Sequence, residues 1–234
     1  MRRERPWCAS AQPSLGNVTD LLPQPQFLIF DLDGTLINSL PDLLTALNLL
    51  RRELALEPLT TAQVTKMVGD GATLLVKRAL GPDLYEDCHL QRFLELYGQH
   101  LLDQTHCYPG IEELLSHHNP QHMALVTNKP ILYTRRILEG LNLSRFFRAV
   151  IGGDSYPFKK PHPYPLQQAL DQLGGHPHQA LMIGDHHTDL YAARDAGIAT
   201  CFCAYGFGHC GDCIPDYRVA TATELLSLFP GKSR

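Results

Sequence analysis

The sequence lacks any apolar run near the roughly 18 residues that a membrane-spanning helix requires, so a transmembrane reading fails. It also lacks an excess of one charge: 20 Lys and Arg stand against 24 Asp and Glu, a formal net charge of −4. The basic residues are scattered rather than gathered in a stripe, and the electrostatic footprint of a nucleic-acid binder is missing. Internal repeats are absent, and so are low-complexity tracts beyond the N-terminal stretch. That stretch, residues 1–25, opens on Arg2, Arg3 and Arg5 but carries no apolar segment of the ~7–15 residues a secretory signal needs. Glu4 and Asp20 intrude, and Pro6 and Pro13 spoil an amphipathic helix, which argues against a transit peptide. Residues 1–25 therefore read as a disordered extension or the product of an upstream start.

An even set of cysteines is lacking too. There are seven, in a chain too long to need a disulfide framework. Cys201, Cys203, Cys210 and Cys213 cluster, with His209 beside them. A structural zinc site needs two well-spaced ligand pairs on tight knuckles. Cys201 and Cys203 instead flank Phe202 in a strand-like run, where residues i and i+2 share a face. The favoured reading is buried, reduced thiols in a cytoplasmic protein, with a zinc site as the alternative.

What the sequence does hold is an ordinary globular composition, 44% hydrophobic and 19% charged over 234 residues. That length suits one large domain, or a core domain with a smaller insert. Phe27–Phe30 is a short continuous apolar run, as expected of a strand buried on both faces of a parallel sheet. Similar runs recur at Met123–Thr127, Ala149–Gly152, Ala180–Gly184 and Ala199–Cys203, each followed by polar or glycine residues and then a helical pattern. The alternation predicts an α/β fold with a parallel sheet, whose ligands bind at the carboxyl ends of the strands.

Between the first two runs lies a stretch with no strand signal. Pro41 and Asp42 open a helix with Leu43, Leu44, Leu47, Leu50 and Leu54 at helical spacing. Thr60 with Gln63 forms a capping-box pattern, and helices are expected over Ala72–Leu80 and Leu84–Leu102. A turn at Tyr108-Pro109-Gly110 precedes a helix at Ile111–His117. Residues 41–105 thus read as an all-helical insert between core segments 26–40 and 106–234.

The candidate chemistry sits at strand ends. Asp31 and Asp33 follow the first strand, and carboxylates at i and i+2 point the same way on extended backbone. Such a pair can divide labour between nucleophile and proton donor. Gly34 permits a sharp turn that brings backbone N–H groups to an anion. A calcium loop is a poor rival, because Asp42 stands where an EF-hand needs Glu. Thr127 and Asn128 offer a hydroxyl and an amide to a phosphoryl oxygen, with Lys129 next. In Lys159-Lys160-Pro161-His162-Pro163 a proline-flanked Lys160 can neutralise developing charge. Asp185 ends the Leu181–Gly184 run and suits a hard cation such as Mg²⁺ together with Asp31. Asp189 either supports it or caps the following helix.

In this order the motifs resemble the haloacid dehalogenase superfamily: Asp31-Leu32-Asp33-Gly34-Thr35-Leu36, Thr127, Lys160, and Gly184-Asp185 with Asp189. The likeness spans residues 26–229 and is nearest to bacterial phosphoglycolate phosphatases, through Asn38–Asp42, Val68–Ala72, Val126–Pro130, Val150–Asp154, Lys159–Pro163 and Tyr205-Gly206. His186 and His187, Tyr156-Pro157-Phe158 and the C-terminal cysteines depart from it. The resemblance implies a Rossmann-like core with a helical cap and a Mg²⁺-dependent phosphomonoester hydrolase. Asp31 would be the nucleophile, Asp33 the acid–base, and Asp31, Asp33 and Asp185 the metal holders, with Thr127 and Lys160 on the transferring phosphoryl group.

The implied substrate is a small phosphorylated metabolite, 2-phosphoglycolate first, and a sugar-phosphate or amino-sugar-phosphate second. A phosphomutase is a more distant reading. A dehalogenase is disfavoured, since it has no leaving alkoxide for Asp33 to protonate. A non-catalytic protein keeping the fold would normally have lost Asp31, Asp33, Lys160 or Asp185. Lys66, Asp70, Lys77 and Arg78 in the insert read as solvated or as substrate contacts. The expected assembly is a monomer or homodimer.

Overall fold

A computed structural model describes residues 24–230. The N-terminal extension read from the sequence, apart from Gln24 and Pro25, lies outside the described residues.

The central strand β1 (Phe27–Phe30) is buried along its whole length. Its side chains alternate between two cores: Leu28 and Phe30 pack on one face of the sheet, Phe27 and Ile29 on the other. Two-sided burial is why the run shows no polar alternation. Parallel neighbours flank it, β4 (Met123–Val126) on one side and β6 (Ala180–Gly184) on the other. Outward lie β5 (Ala149–Ile151) beyond β4, then β7 (Ala199–Cys203) and β8 (Tyr217–Val219) beyond β6, giving the order β5-β4-β1-β6-β7-β8. Crossover helices α6 (Ile131–Gly140), α7 (Tyr164–Leu173) and α8 (His187–Ala196) connect them, and α9 (Ala222–Leu228) follows β8. The chain reverses its direction of travel across the sheet around β1, so the carboxyl ends of β1, β4 and β6 border a crevice.

After β1 the chain makes one tight turn, with the Leu32 carbonyl accepting from the N–H groups of Leu36 and Ile37. It then forms β2 (Ile37–Asn38), which pairs antiparallel with β3 (His106–Cys107). This two-stranded ribbon is where the chain leaves the core and comes back. Between the two strands stand α1 (Leu40–Glu53), α2 (Thr61–Thr65), α3 (Ala72–Leu80) and α4 (Asp87–Gln99). The Thr60–Gln63 capping box forms at the start of α2. Helix α4 is shorter than Leu84–Leu102. Gly81 and Pro82 break the pattern before it, and Glu86 takes up the N-cap. α5 (Ile111–Ser116) follows the ribbon.

Asp42 has a role that its place in the first turn of α1 hid. Fully buried, its carboxylate accepts from the N–H of Gln104 (3.0 Å) and from the N–H (2.8 Å) and hydroxyl (2.7 Å) of Thr105. It ties the exit of the insert to its return. Asp42→Ala strips buried donors of a charged partner, where each such bond is worth ~1.5–3 kcal/mol. Urea denaturation is expected to show a loss of about 3 kcal/mol or more.

Candidate active site

The crevice collects the residues singled out from the sequence. Asp31 continues β1, its N–H donating to the Ile183 carbonyl at 2.9 Å. Lys160 reaches in from the loop between β5 and α7 and is only 2% exposed. Its ammonium donates to Asp31 Oδ1 (2.8 Å) and the Val126 carbonyl (2.6 Å), and pairs with Asp189 Oδ1 at 2.6 Å. Burial alone would favour the neutral amine, but Asp189 and Asp31 outweigh it and hold the Lys160 pKa above the ordinary value.

Burial pushes the Asp31 carboxyl up to about 6; Lys160 pulls it back, while the charges of Asp189 and Asp33 push it further up. Asp185 at the end of β6 is driven well above the usual carboxylate range by burial and then by the charges of Asp31 and Asp189. Three donors hold it: the N–H groups of Phe207 (2.7 Å) and Gly208 (3.0 Å) and the Thr35 hydroxyl (3.3 Å). Gly34 stands against this carboxylate at φ +82°, where a Cβ would collide with it. Glycine is required there by both backbone and space.

Asp189 caps the helix, one of its two sequence readings, and also pairs with Lys160. One oxygen accepts the His186 N–H at 3.0 Å, closing a capping box on α8, and the other holds Lys160. Asp33 is less buried and faces a partner the sequence reading left without a role. Lys129 donates to both its oxygens at 2.9 Å, and Ser39 Oγ also donates to it. The Lys129 ammonium lies 4.7 Å from the Tyr97 ring centroid on α4. Burial opposes its charge, but Asp33 and Tyr97 more than compensate, so its pKa stands above the ordinary value.

Thr127 accepts the Lys129 N–H at 3.2 Å and lines the cavity. Asn128 lines it too, but its amide is occupied with the carbonyls of Lys160 (2.9 Å) and Gly69 (3.1 Å), which bridges core and insert. The cavity is about 60 Å³, with Asp31, Asp33, Thr127, Lys129 and Asp185 on the core side. The insert side is apolar, with Leu43, Val68, Leu75, Phe93 and Tyr97. Lys66, Lys77 and Arg78 are exposed outside it, and Asp70 pairs with Arg78 at 2.6 Å.

Among the described residues, one oxygen each of Asp31, Asp185 and Asp189 lies within 4.8 Å of the others. Buried carboxylates this close repel one another, and a hard divalent cation fits that donor set. The thiols of Cys201 and Cys203 are buried in β7.

The sheet carries paired aspartates at the end of β1, a lysine after β5 and an aspartate after β6. The family model of the haloacid dehalogenase-like hydrolases matches residues 28–203. The chain belongs to that family, and within it stands among the phosphatases. It is 36% identical over 221 residues to the phosphoglycolate phosphatase of Nitrosococcus oceani, covering 89% of this chain and 98% of that one. It is 35% identical over 216 residues to that of Pseudomonas syringae pv. syringae, covering 88% and 79%. The crystal structure of a predicted phosphoglycolate phosphatase from Haemophilus somnus superposes with a TM-score of 0.81 at 32% identity, covering 88% of this chain and 99% of that chain.

Proposed function

We propose that the protein is a Mg²⁺-dependent phosphomonoester hydrolase that acts through an aspartyl phosphate on Asp31, with 2-phosphoglycolate as its substrate. The observation that carries this reading is the buried Lys160–Asp31 ion pair of 2.8 Å at the end of β1, beside Asp33 and Asp185. Asp31 attacks phosphorus, forming a bond from its carboxylate oxygen as the ester oxygen leaves. Asp33 supplies a proton to that alkoxide, then takes one from the water that hydrolyses the aspartyl phosphate. Lys160 and Thr127 stabilise the phosphoryl oxygens, where fixed donors count most. Asp31, Asp185 and the backbone at Asp33 would hold Mg²⁺, whose charge would offset the crowded carboxylates and the anionic ester. Lys129 positions Asp33, and Asn128 positions the Gly69 loop and Lys160.

Residues 41–105 serve as a cap that closes over the crevice, its apolar face excluding water. The cavity of about 60 Å³ favours a short ester. By the measure that ~10–15 Å³ of such space holds one water, it holds about four to six water-sized atoms, roughly the phosphate group itself. Among the described residues no helix is long and apolar enough to cross a membrane. The reading of a cytoplasmic enzyme rests on the free, buried thiols of β7.

The experiment is kcat/KM with Mg²⁺ on 2-phosphoglycolate, glycerol phosphate, hexose phosphates and an amino-sugar phosphate. A lead of about tenfold for phosphoglycolate, ~1.4 kcal/mol of transition-state discrimination, supports the assignment. A lead for another ester removes the substrate and leaves the phosphatase. Metal-free protein is expected to gain thermal stability when Mg²⁺ is added, by about 2.7 kcal/mol at a hundred times Kd. Asp185→Asn is expected to lose most of that gain in the same melting experiment.

A further inference from the structure

The loop whose N–H groups hold Asp185 continues into His209, and helix α8 begins with His186 at its N-cap and His187. One nitrogen of each of these three histidines lies within 4.8 Å of the other two. The His187 and His209 rings stack, with centroids 4.9 Å apart, and those of His186 and His187 are 4.1 Å apart. Nδ1 of His187 is buried without a hydrogen-bond partner. Nδ1 of His186 meets the Thr188 hydroxyl at 3.1 Å, leaving Nε2 to face the Gly69 loop. Nδ1 of His209 accepts the Gly211 N–H at 3.1 Å, which leaves Nε2 as its nitrogen for an ion that displaces the ring proton.

Three imidazoles packed this tightly offer lone pairs only when neutral. Asp70 faces both rings from the insert, itself paired with Arg78, and Asp31 faces His186 from the core.

We propose that His186, His187 and His209 form a binding site for a transition-metal ion of the zinc class, a donor set distinct from the carboxylates of the cavity that His186 also lines. The two neighbouring sites divide by ligand hardness. Carboxylate oxygens suit Mg²⁺, whereas a cluster of imidazoles suits Zn²⁺, Ni²⁺ or Cu²⁺. Three protein nitrogens with a fourth, open position is a common zinc arrangement. Zn–N bonds of ~2.0–2.1 Å in a tetrahedron place nitrogens about 3.4 Å apart, so the present spacing closes by side-chain rotation. A metal ion here ties the loop that holds Asp185 to the first turn of α8.

The test is calorimetric titration of chelator-stripped protein with Zn²⁺ as the probe, in saturating Mg²⁺ so that the carboxylate site is filled. One equivalent is expected to bind. His209→Ala, at an exposed loop position, and His187→Ala are each expected to weaken Zn²⁺ by about tenfold or more. Mg²⁺-dependent turnover of His209→Ala is expected to stay unchanged, and Asp185→Asn is expected to keep its Zn²⁺. Absence of Zn²⁺ binding under Mg²⁺ saturation would overturn the proposal. So would binding retained by both histidine variants, or binding lost in Asp185→Asn, since the ion then sits on the cysteines or the carboxylates.

Discussion

Asp31→Asn is expected to abolish phosphate release from every ester, by on the order of 10⁴-fold or more, the scale on which a removed nucleophile acts. Asparagine matches the carboxylate in shape, so the Phe30–Asp31 backbone and its bond to Ile183 remain. What disappears is the negative oxygen that attacks phosphorus. Stability is expected to move the other way. Asp31, Asp185 and Asp189 crowd three buried carboxylates within 4.8 Å, and Lys160 keeps its 2.6 Å partner Asp189 after the change. Without Mg²⁺ the variant should therefore melt at or above the wild-type temperature, a trade of function against stability. Phosphate release and differential scanning calorimetry on the same samples check both halves.

Lys160→Met is expected to injure both properties together. The ammonium is the cation shared by Asp31 and Asp189, and each of the three groups is less than a tenth exposed. Methionine fills most of the space but leaves two buried carboxylates facing each other. Breaking a buried pair by removing one partner costs ~3–5 kcal/mol. Turnover is expected to fall by about 10²–10³, as when a fixed donor to a developing anion is lost. Urea titration reads the first effect and kcat the second. A Lys160→Met protein as stable as wild type would show that the ion pair does not hold the crevice together.

Much of this was readable in the residues. The Phe27–Phe30 run gives β1 because a strand buried on both faces must be apolar throughout, and the aspartates after it stand out against that background. Thr60 with Gln63 announces α2 for an equally local reason. The short strands left no such trace: β2 and β3 have two residues each, too few for any period, and exist only because Ile37 meets Cys107 across the fold. The leucine spacing overextends α4, since Leu84 and Leu102 continue it past the residues that stop the helix.

The partner of Asp33 was hidden for a similar reason. Lys129 is 96 positions away and earns its place only when β4 is laid beside β1. A lysine directly after Thr127-Asn128 at a strand end was the available signal. The charged residues of the insert read first as solvated helix faces, and Lys66, Lys77 and Arg78 are exposed, while the face turned to the crevice is apolar. Amphipathic helices bury their apolar stripe, and here part of that stripe roofs the cavity.

The central claim is a covalent phosphoryl group on Asp31, and rapid-quench mass spectrometry of the peptide carrying Asp31 tests it most directly. Enzyme mixed with 2-phosphoglycolate and Mg²⁺ is expected to show one phosphoryl adduct on that peptide within a turnover. The adduct should build up in Asp33→Asn, where the second proton transfer is lost, and vanish in Asp31→Asn. Phosphate released through the first turnovers with no adduct at any time, or turnover surviving in Asp31→Asn, would contradict the account.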